Sequence, residues 1–495
     1  MPLTLDNNVI NVINGPTQVH FLQQINTDAN LNNNFFIFFG EQHDLKNYTP
    51  CFNDVDCVEI QTDFVKMLNT FASTTRTDFY FEKFLGFIPK KVSMTPQNKQ
   101  KYSDEASKIQ NVYSKLRGDT ALKNMSPDER KQKIAEYTEE IKTNRYRLFE
   151  QRSSMHEMEY LYKSCFNLPL KEELCPYKNI NWQYEDARQS SRYLSGNPES
   201  SIESITTDIQ DFFNYFFDNY LDNDNTEKLQ VNEDALIEFE NNAQDRYINT
   251  IEMLSNVKLM VTDLNAYIKN LIARPIYQKQ LNKMNEYTKS IFTENSFVAL
   301  ANSYAMLFKP EDFSNLNTVV DLFISYYNLC PDGYECLPGN ETKLEQLIAK
   351  FNALSFKKNQ LNQMVYIPMA IGNCAMDIYF ILRTYKQDTG APNKKLTLNY
   401  SGSIHSEKLA NYFTNIVNTH KSLYSADAIE DSRRVPITQD INLNEIMGHT
   451  PITVGGKKTR KYKKNKRANK SKKNKQIKKN KQIKKNKSNR NKNKK

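Results

Sequence analysis

A short, strongly apolar run near the N-terminus restricts the fold of this chain more than any other feature. The run Asn34-Phe-Phe-Ile-Phe-Phe39 ends at Gly40 and is typical of a strand that is buried on both faces, as in a parallel sheet. A polar loop (41–56), apolar residues at near-helical spacing (58–71) and the strand-like segment Asp78-Phe-Tyr-Phe-Glu82 follow. Strand, helix and strand within about fifty residues predict a βαβ unit with a right-handed crossover.

Composition and periodicity divide the rest of the chain around this predicted core. Further strands are predicted at 180–184 and 395–400, and residues 421–450 show no regular pattern. The apolar segment 364–385 contains too many polar residues to span a membrane, so it is predicted to be a buried helix. The predicted fold class is α/β, with a central, mostly parallel sheet, large helical insertions and a disordered basic C-terminal tail. The predicted division is 1–95, the N-terminal strand–helix–strand part of the core; 96–179, a helical insertion; 180–197, a core strand; 198–358, a helical region; 359–454, the C-terminal part of the core; and 455–495, the polybasic tail.

Charge is distributed very unevenly along the chain. Residues 457–495 contain 22 of the 67 Lys and Arg residues and no Asp or Glu. The other 456 residues therefore carry 45 basic and 57 acidic side chains, a net charge of −12. So basic a tail, with few apolar residues, predicts disorder and binding to nucleic acid or another polyanion. A nuclear address, solubility and binding to an anionic membrane are alternatives that the sequence leaves open.

Six of the seven cysteines form close pairs in the sequence. The pairs are Cys51 and Cys57, Cys165 and Cys175, and Cys330 and Cys336. Zinc sites favour shorter gaps and companion ligands, so zinc is not indicated. Ordinary reduced cysteines and three local disulfides both fit the pattern, and disulfides would imply oxidation after or despite cytosolic synthesis.

Three polar segments stand where the carboxyl ends of the predicted parallel strands meet. Glu41 and His43 follow the first strand, Glu82 ends the second, and His405 follows the last one. Ligands of open α/β sheets bind at such strand ends. Two imidazoles and two carboxylates there would bind a divalent metal, or would allow a histidine to act as a general base. Arg188, after the predicted third strand, would hold an anionic group.

Each of these residues also has a plain structural alternative. His43 would be an ordinary loop residue, and His405 would cap its own helix. Glu82 would pair with Lys83 or Arg76. Their joint occurrence at three strand ends favours the functional interpretation.

The motifs at these strand ends resemble those of the erythromycin esterase, ChaN and TraB–Tiki superfamily. Gly40-Glu-Gln-His43 follows an apolar strand, and Gly402-Ser-Ile-His405 follows a late one. The early motif is nearer the ChaN-like version, because its histidine stands two residues after the glutamate. The resemblance covers about Phe35–Phe84 and Lys395–Val417, and it implies an α/β fold.

What the resemblance implies for function differs by branch. Esterase-like members are hydrolases in which His and Glu activate water, Tiki-like members are metal-dependent peptidases, and ChaN-like members bind haem. Carried over to this chain, the implied site is Glu41, His43, Glu82 and His405, with Arg188 a weaker candidate. The sequence therefore predicts a hydrolase of a small molecule or peptide, with a divalent metal as its expected cofactor. The alternative is a catalytically inactive virion or scaffold protein that docks to nucleic acid through 457–495.

The C-terminal tail carries a second resemblance. Gly455-Gly-Lys-Lys-Thr-Arg460 resembles the start of the basic tails found in proteins of large DNA viruses. This resemblance implies a location in the host cytoplasm or the virion, and the basic tail also fits the nucleus. Met1 to Gln18 lacks a basic segment followed by an apolar stretch, so a secretory signal is not predicted.

Overall fold

The computed structural model describes the chain in separate ranges. These are residues 2–5, 8–25, 33–42, 51, 57–84, 129, 154–166, 171, 175–186, 250–329, 339–353, 358–386, 394–429 and 433–447. The predicted tail and most of the predicted insertion at 96–179 lie outside the described residues, as do His43 and Arg188.

Strands of the described ranges form one large sheet and two small ones. In chain order they are β1 (Leu3–Leu5), β2 (Asn8–Ile10), β3 (Val12–Asn14), β4 (Gln18–Gln24), β5 (Asn33–Glu41), β6 (Cys57–Glu59), β7 (Arg76–Phe84), β8 (Asn181–Asp186), β9 (Lys394–Gly402), β10 (His420–Asp427), β11 (Arg434–Pro436) and β12 (Ile441–Asn442). The large sheet has the order β10-β4-β5-β9-β7-β8. Strands β5, β9, β7 and β8 run parallel, while β4 and β10 extend the sheet antiparallel beyond β5. The protein is therefore mixed α/β with a largely parallel six-stranded sheet.

Strand β5 lies inside the sheet because its side chains are apolar on both faces. It pairs with β4 on one side and with β9 on the other. Phe36 and Phe38 enter one apolar layer, whereas Phe35, Ile37 and Phe39 enter the other, and all five are buried. The same alternation decides which face of the sheet each polar side chain at a strand end occupies.

Helices cover both faces of the large sheet. They are α1 (Val65–Phe71), α2 (Ser154–Phe166), α3 (Thr250–Thr262), α4 (Leu264–Ala273), α5 (Pro275–Leu281), α6 (Glu286–Ile291), α7 (Glu294–Ala305), α8 (Pro310–Leu329), α9 (Glu341–Asn352), α10 (Lys358–Tyr385), α11 (Ser403–Asn411) and α12 (Leu443–Ile446), with π-helical turns at Ile60–Phe64 and Tyr412–Ile416. Buried residues of α3, α4, α7, α8, α10 and α11 share the layer of Phe36 and Phe38. Helices α1 and α2 pack on the opposite face, in the layer of Phe35 and Phe39. Across the described ranges, no helix is long and apolar enough to cross a membrane.

The segment 421–450 is more regular than the sequence predicted. In its described part, β10 adds an edge strand to the large sheet, and β11 and β12 each join a small sheet near the N-terminus. The prediction of irregular structure is therefore wrong for residues 421–429 and 433–447. Many side chains of β10 are exposed, so this edge strand lacks the apolar alternation by which a strand is recognised in a sequence.

Two of the three cysteine pairs are disulfides in the structure. Cys51 is bonded to Cys57, and Cys165 to Cys175. Cys330 and Cys336 lie outside the described residues. Both observed bonds lie on the sheet face of α1 and α2, where Cys165 and Cys175 belong to the buried apolar layer. Of the two possibilities for these four cysteines, the structure therefore has the disulfide-bonded one.

Candidate active site

Glu82 and His405 lie together on one face of the large sheet, at the carboxyl ends of its parallel strands. Glu82 is near the end of β7, and its Oε2 accepts a 2.7 Å hydrogen bond from the backbone N–H of Gly402. His405 stands in the first turn of α11, which begins directly after β9. His405 Nε2 is 3.9 Å from Glu82 Oε1. The passage from strand to helix thus places an imidazole beside a carboxylate.

Asp377 of α10 holds the other nitrogen of His405. Its Oδ1 lies 2.8 Å from His405 Nδ1, and both side chains are buried. A carboxylate within an apolar helix requires such a partner, because an unpaired charge in a protein core is costly. In a neutral imidazole, this contact places the proton on Nδ1 and directs the lone pair of Nε2 toward Glu82.

Tyr304 of α7 completes the buried group. Its hydroxyl donates to Asp377 Oδ2 at 2.5 Å and lies 3.3 Å from His405 Nδ1. Burial, together with the nearby Asp377, raises the pKa of Tyr304 well above its ordinary value. The hydroxyl therefore keeps its proton and acts as a donor. Asp377 thus has one hydrogen-bond contact at each of its carboxylate oxygens, with Tyr304 and with His405.

The protonation of Asp377 is decided by opposing influences. Burial is the largest of them, and it raises the pKa of the carboxyl above its ordinary value. His405 pulls this pKa down through its charge and its hydrogen bond, Tyr304 pulls it down through its hydrogen bond, and Glu82 raises it. The ionised form of Asp377 thus depends on its two donors. Lys408 adds a positive charge at the edge of the group, with Nζ 5.9 Å from the centre of the Tyr304 ring.

A row of buried polar side chains runs beside this group on the same face. Asn399 donates to Glu185 of β8, and Ser401 donates to Asn399 Oδ1 at 2.7 Å. Ser401 Oγ is also 3.4 Å from Ser406 Oγ in α11. The row ties the first turn of α11, and with it His405, to the ends of β8 and β9.

Glu41 lies on the opposite face of the sheet from Glu82 and His405. Its carboxylate accepts hydrogen bonds from the backbone N–H groups of Ser154 at 2.7 Å and Met155 at 2.8 Å, at the start of α2. Arg433 Nη1 donates to it at 2.8 Å, and neither of these two side chains has any exposed surface. The structure therefore does not bring Glu41 together with Glu82 and His405, although the sequence predicted one site for all three.

Gly40 has a structural reason to lack a side chain. A Cβ at this position would lie 2.8 Å from Ser403 Cα and 2.8 Å from Gln18 Oε1. The first residue of α11 thus sits directly on the end of β5. Gly40, the glycine of the early motif, therefore allows α11 to pack closely against the end of β5, which helps to position His405.

The remaining predictions for the site concern His43, Arg188 and a metal ion. Both side chains lie outside the described residues. Within the ranges that the structure describes, no group of three or more His, Cys, Asp or Glu side chains is arranged to hold a metal ion. The divalent metal stays a prediction from the sequence.

No family model, curated protein or solved structure matches this chain. The resemblance to the erythromycin esterase, ChaN and TraB–Tiki superfamily therefore rests on Gly40-Glu-Gln-His43 and Gly402-Ser-Ile-His405. Of these motifs, His405 belongs to the buried group with Asp377, and Glu41 pairs with Arg433 on the other face.

Asp377 and Tyr304 were not among the residues predicted for the site. Asp377 had a readable signal, because a carboxylate inside an apolar helical run must find a buried partner. Tyr304 had no such signal, because nothing in the sequence distinguishes it from the rest of the 28 tyrosines. Tyr304 comes from the helical region 198–358, so this region contributes directly to the site.

Proposed function

We propose that this protein is a hydrolase in which His405 and Glu82 activate a water molecule and Asp377 orients the imidazole. The strongest support is the line of contacts from Asp377 through His405 to Glu82, at 2.8 and 3.9 Å. Its position at the carboxyl ends of parallel strands is where ligands of α/β sheets bind. The resemblance to esterases of the superfamily favours the same chemistry, with an ester or amide of a small molecule or peptide as substrate.

The spacing of the two side chains suits general-base catalysis on water. A gap of 3.9 Å between Nε2 and Oε1 exceeds a direct hydrogen bond and accommodates a bridging water. In this proposal, Nε2 of His405 takes a proton from the water as its oxygen attacks the carbonyl carbon of the substrate. The ionised Asp377 stabilises the imidazolium. His405 then returns the proton to the departing alcohol or amine, and Glu82 keeps the water in line.

Changing Glu82 to Gln tests this proposal. The full chain should hydrolyse p-nitrophenyl acetate or a fluorescently labelled casein, and Glu82→Gln should lower kcat by about a hundredfold or more. Gln keeps the size of the side chain and an oxygen for the Gly402 N–H, so the thermal unfolding midpoint should change little.

The matched control is Glu407→Gln, which removes an exposed carboxylate from α11 and should leave kcat unchanged. No turnover of either compound by the unmodified chain, or full turnover by Glu82→Gln, would contradict the proposal.

A second candidate function is docking to nucleic acid through the tail, with or without catalysis in the folded part. The observation that favours it is the separation of charge between residues 457–495 and the net-acidic remainder. Electrostatic binding of this kind releases counterions from the phosphates, so it weakens steeply as salt is added.

Fluorescence anisotropy with a labelled DNA duplex tests this second function. If the tail neutralises about six phosphates, the logarithm of the association constant should fall with the logarithm of salt concentration at a slope of roughly −5. A chain truncated after residue 456 should lose the binding. Equal affinity of the truncated and full chains would show that the tail is not the binding element.

A further inference from the structure

Tyr304 contacts two members of the proposed catalytic group, Asp377 and His405, through its hydroxyl. We infer that Tyr304 is a positioning residue that fixes the tautomer of His405, by holding Asp377 as the acceptor of two hydrogen bonds. The catalytic consequence of this inference rests on the proposed function. The tautomer itself does not, so the two can be tested separately.

The geometry gives each oxygen of Asp377 its own donor. Tyr304 donates to Oδ2 at 2.5 Å, and His405 Nδ1 lies 2.8 Å from Oδ1. The hydroxyl is also 3.3 Å from Nδ1, but it has a single proton, and the shorter contact to Asp377 takes it. A carboxylate that is fully buried and accepts from both partners leaves Nδ1 no role except that of donor.

The other charged and titratable groups around this contact do not replace the hydroxyl. Glu82 on β7 and Cys374 on α10 both act on the group electrostatically, and Glu82 opposes the ionised form of Asp377. Lys408 on α11 has its Nζ over the ring of Tyr304, 5.9 Å from the ring centre. The second hydrogen bond to Asp377 therefore comes from Tyr304.

Loss of the hydroxyl would reverse the arrangement of protons. With one donor left, the buried Asp377 carboxyl would take up a proton from solvent and donate it to His405 Nδ1. The proton that Nδ1 carried would then reside on Nε2, so the pair as a whole gains one proton. Nε2 would face Glu82 with an N–H in place of its lone pair, and it would no longer accept a proton from water.

The three members of the group come from three helices of the same layer. Tyr304 lies in α7, Asp377 in α10 and His405 in α11, and α7 packs against both of the others. The tautomer of His405 is consequently set by helix packing as well as by the strand end on which α11 starts. The helical region is thus part of the site and not an accessory to it.

The test is ¹⁵N magnetic resonance of the full chain with labelled histidine. The His405 signals are identified by their loss in His405→Gln. The unmodified chain should show a protonated Nδ1 and an unprotonated Nε2, and Tyr304→Phe should show the reverse. Turnover of p-nitrophenyl acetate by Tyr304→Phe should fall by about a thousandfold in kcat, because Nε2 then carries a proton and cannot accept one from water, with little change in KM.

Tyr267→Phe is the matched control. Tyr267 is as deeply buried and belongs to the same apolar layer, but its hydroxyl makes no hydrogen bond within the described residues. This variant should keep the tautomer of the unmodified chain. A protonated Nε2 in the unmodified chain, or an unchanged tautomer in Tyr304→Phe, would overturn the inference. Absence of turnover with the expected tautomers would instead refute the hydrolase and leave the inference standing.

Discussion

Replacing Glu41 with Ala should destabilise the folded protein by about 3–5 kcal/mol, because it leaves the guanidinium of Arg433 buried without its carboxylate partner. Arg433 and Glu41 have no exposed surface, and their contact is 2.8 Å. The substitution also removes the acceptor of the Ser154 and Met155 N–H groups at the start of α2. Urea unfolding followed by circular dichroism measures the change.

Glu82→Ala is the matched control for this prediction. Glu82 also stands near a strand end and accepts a hydrogen bond from the Gly402 N–H, but its side chain keeps some exposure. Its loss should cost only about 1–2 kcal/mol. A double variant, Glu41→Ala with Arg433→Met, should recover part of the stability lost in Glu41→Ala, since it removes the buried guanidinium together with the carboxylate.

Activity measurements on Glu41→Gln distinguish two roles for Glu41, the glutamate of the early motif: a structural pair with Arg433, or a part in the reaction. Glu41→Gln keeps an oxygen for the N–H groups of α2 and for Arg433, so it should retain most of the turnover. A Glu41→Gln protein that folds normally but has lost its activity would place Glu41 in the reaction. It would then contradict the assignment of this residue to a structural pair.

The parallel strands of the large sheet, β5, β9, β7 and β8, were predictable because their signals are local. The run Phe35–Phe39 is apolar on both faces, and a central parallel strand is the place in a fold where such a run is buried. The segment at 78–82 contains a shorter apolar run, Phe79-Tyr-Phe81, and the strand before Gly402 alternates apolar with polar residues. Strand β10 was missed for the converse reason, since an edge strand with exposed side chains has no apolar periodicity.

The division of the predicted site between two faces was not predictable from the same signals. Within each strand the alternation is readable: Glu41 shares a face with Phe39, and Glu82 shares one with Tyr80. Which face of β5 corresponds to which face of β7 depends on register, and register is legible only where one face is polar. Strand β5 is apolar on both faces, so its own pattern does not fix its register against β7, and the sequence identified the edge of the sheet without showing which side chains meet there.

Asp377, which α10 contributes to the site, shows a second limit of prediction from the sequence. The sequence marked Asp377 as an anomaly in an apolar helix, but the partner of a buried charge is a matter of tertiary packing. His405 is 28 positions away in sequence, across the whole of β9. The sequence placed His405 in the predicted site, but only the fold shows that the buried carboxylate of Asp377 contacts it.

Changing Asp377 to Asn should lower kcat by about a thousandfold. Asn keeps the size of the side chain but offers an N–H₂ to His405 Nδ1, which forces the proton onto Nε2 and removes the base. The KM should change little, since the Asp377 side chain is fully buried and does not reach the substrate. Steady-state kinetics with p-nitrophenyl acetate measures both constants.

Asp440→Asn, which neutralises an exposed aspartate, is the control and should leave both constants unchanged.

A double variant tests whether Tyr304 and Asp377 act together on kcat. If the hydroxyl acts through the carboxylate, the double variant Tyr304→Phe with Asp377→Asn should be no slower than Asp377→Asn alone, because the second change finds nothing left to orient. If the two losses multiply in the double variant, Tyr304 and Asp377 act independently. Tyr304 would then not support the reaction through its contact with Asp377.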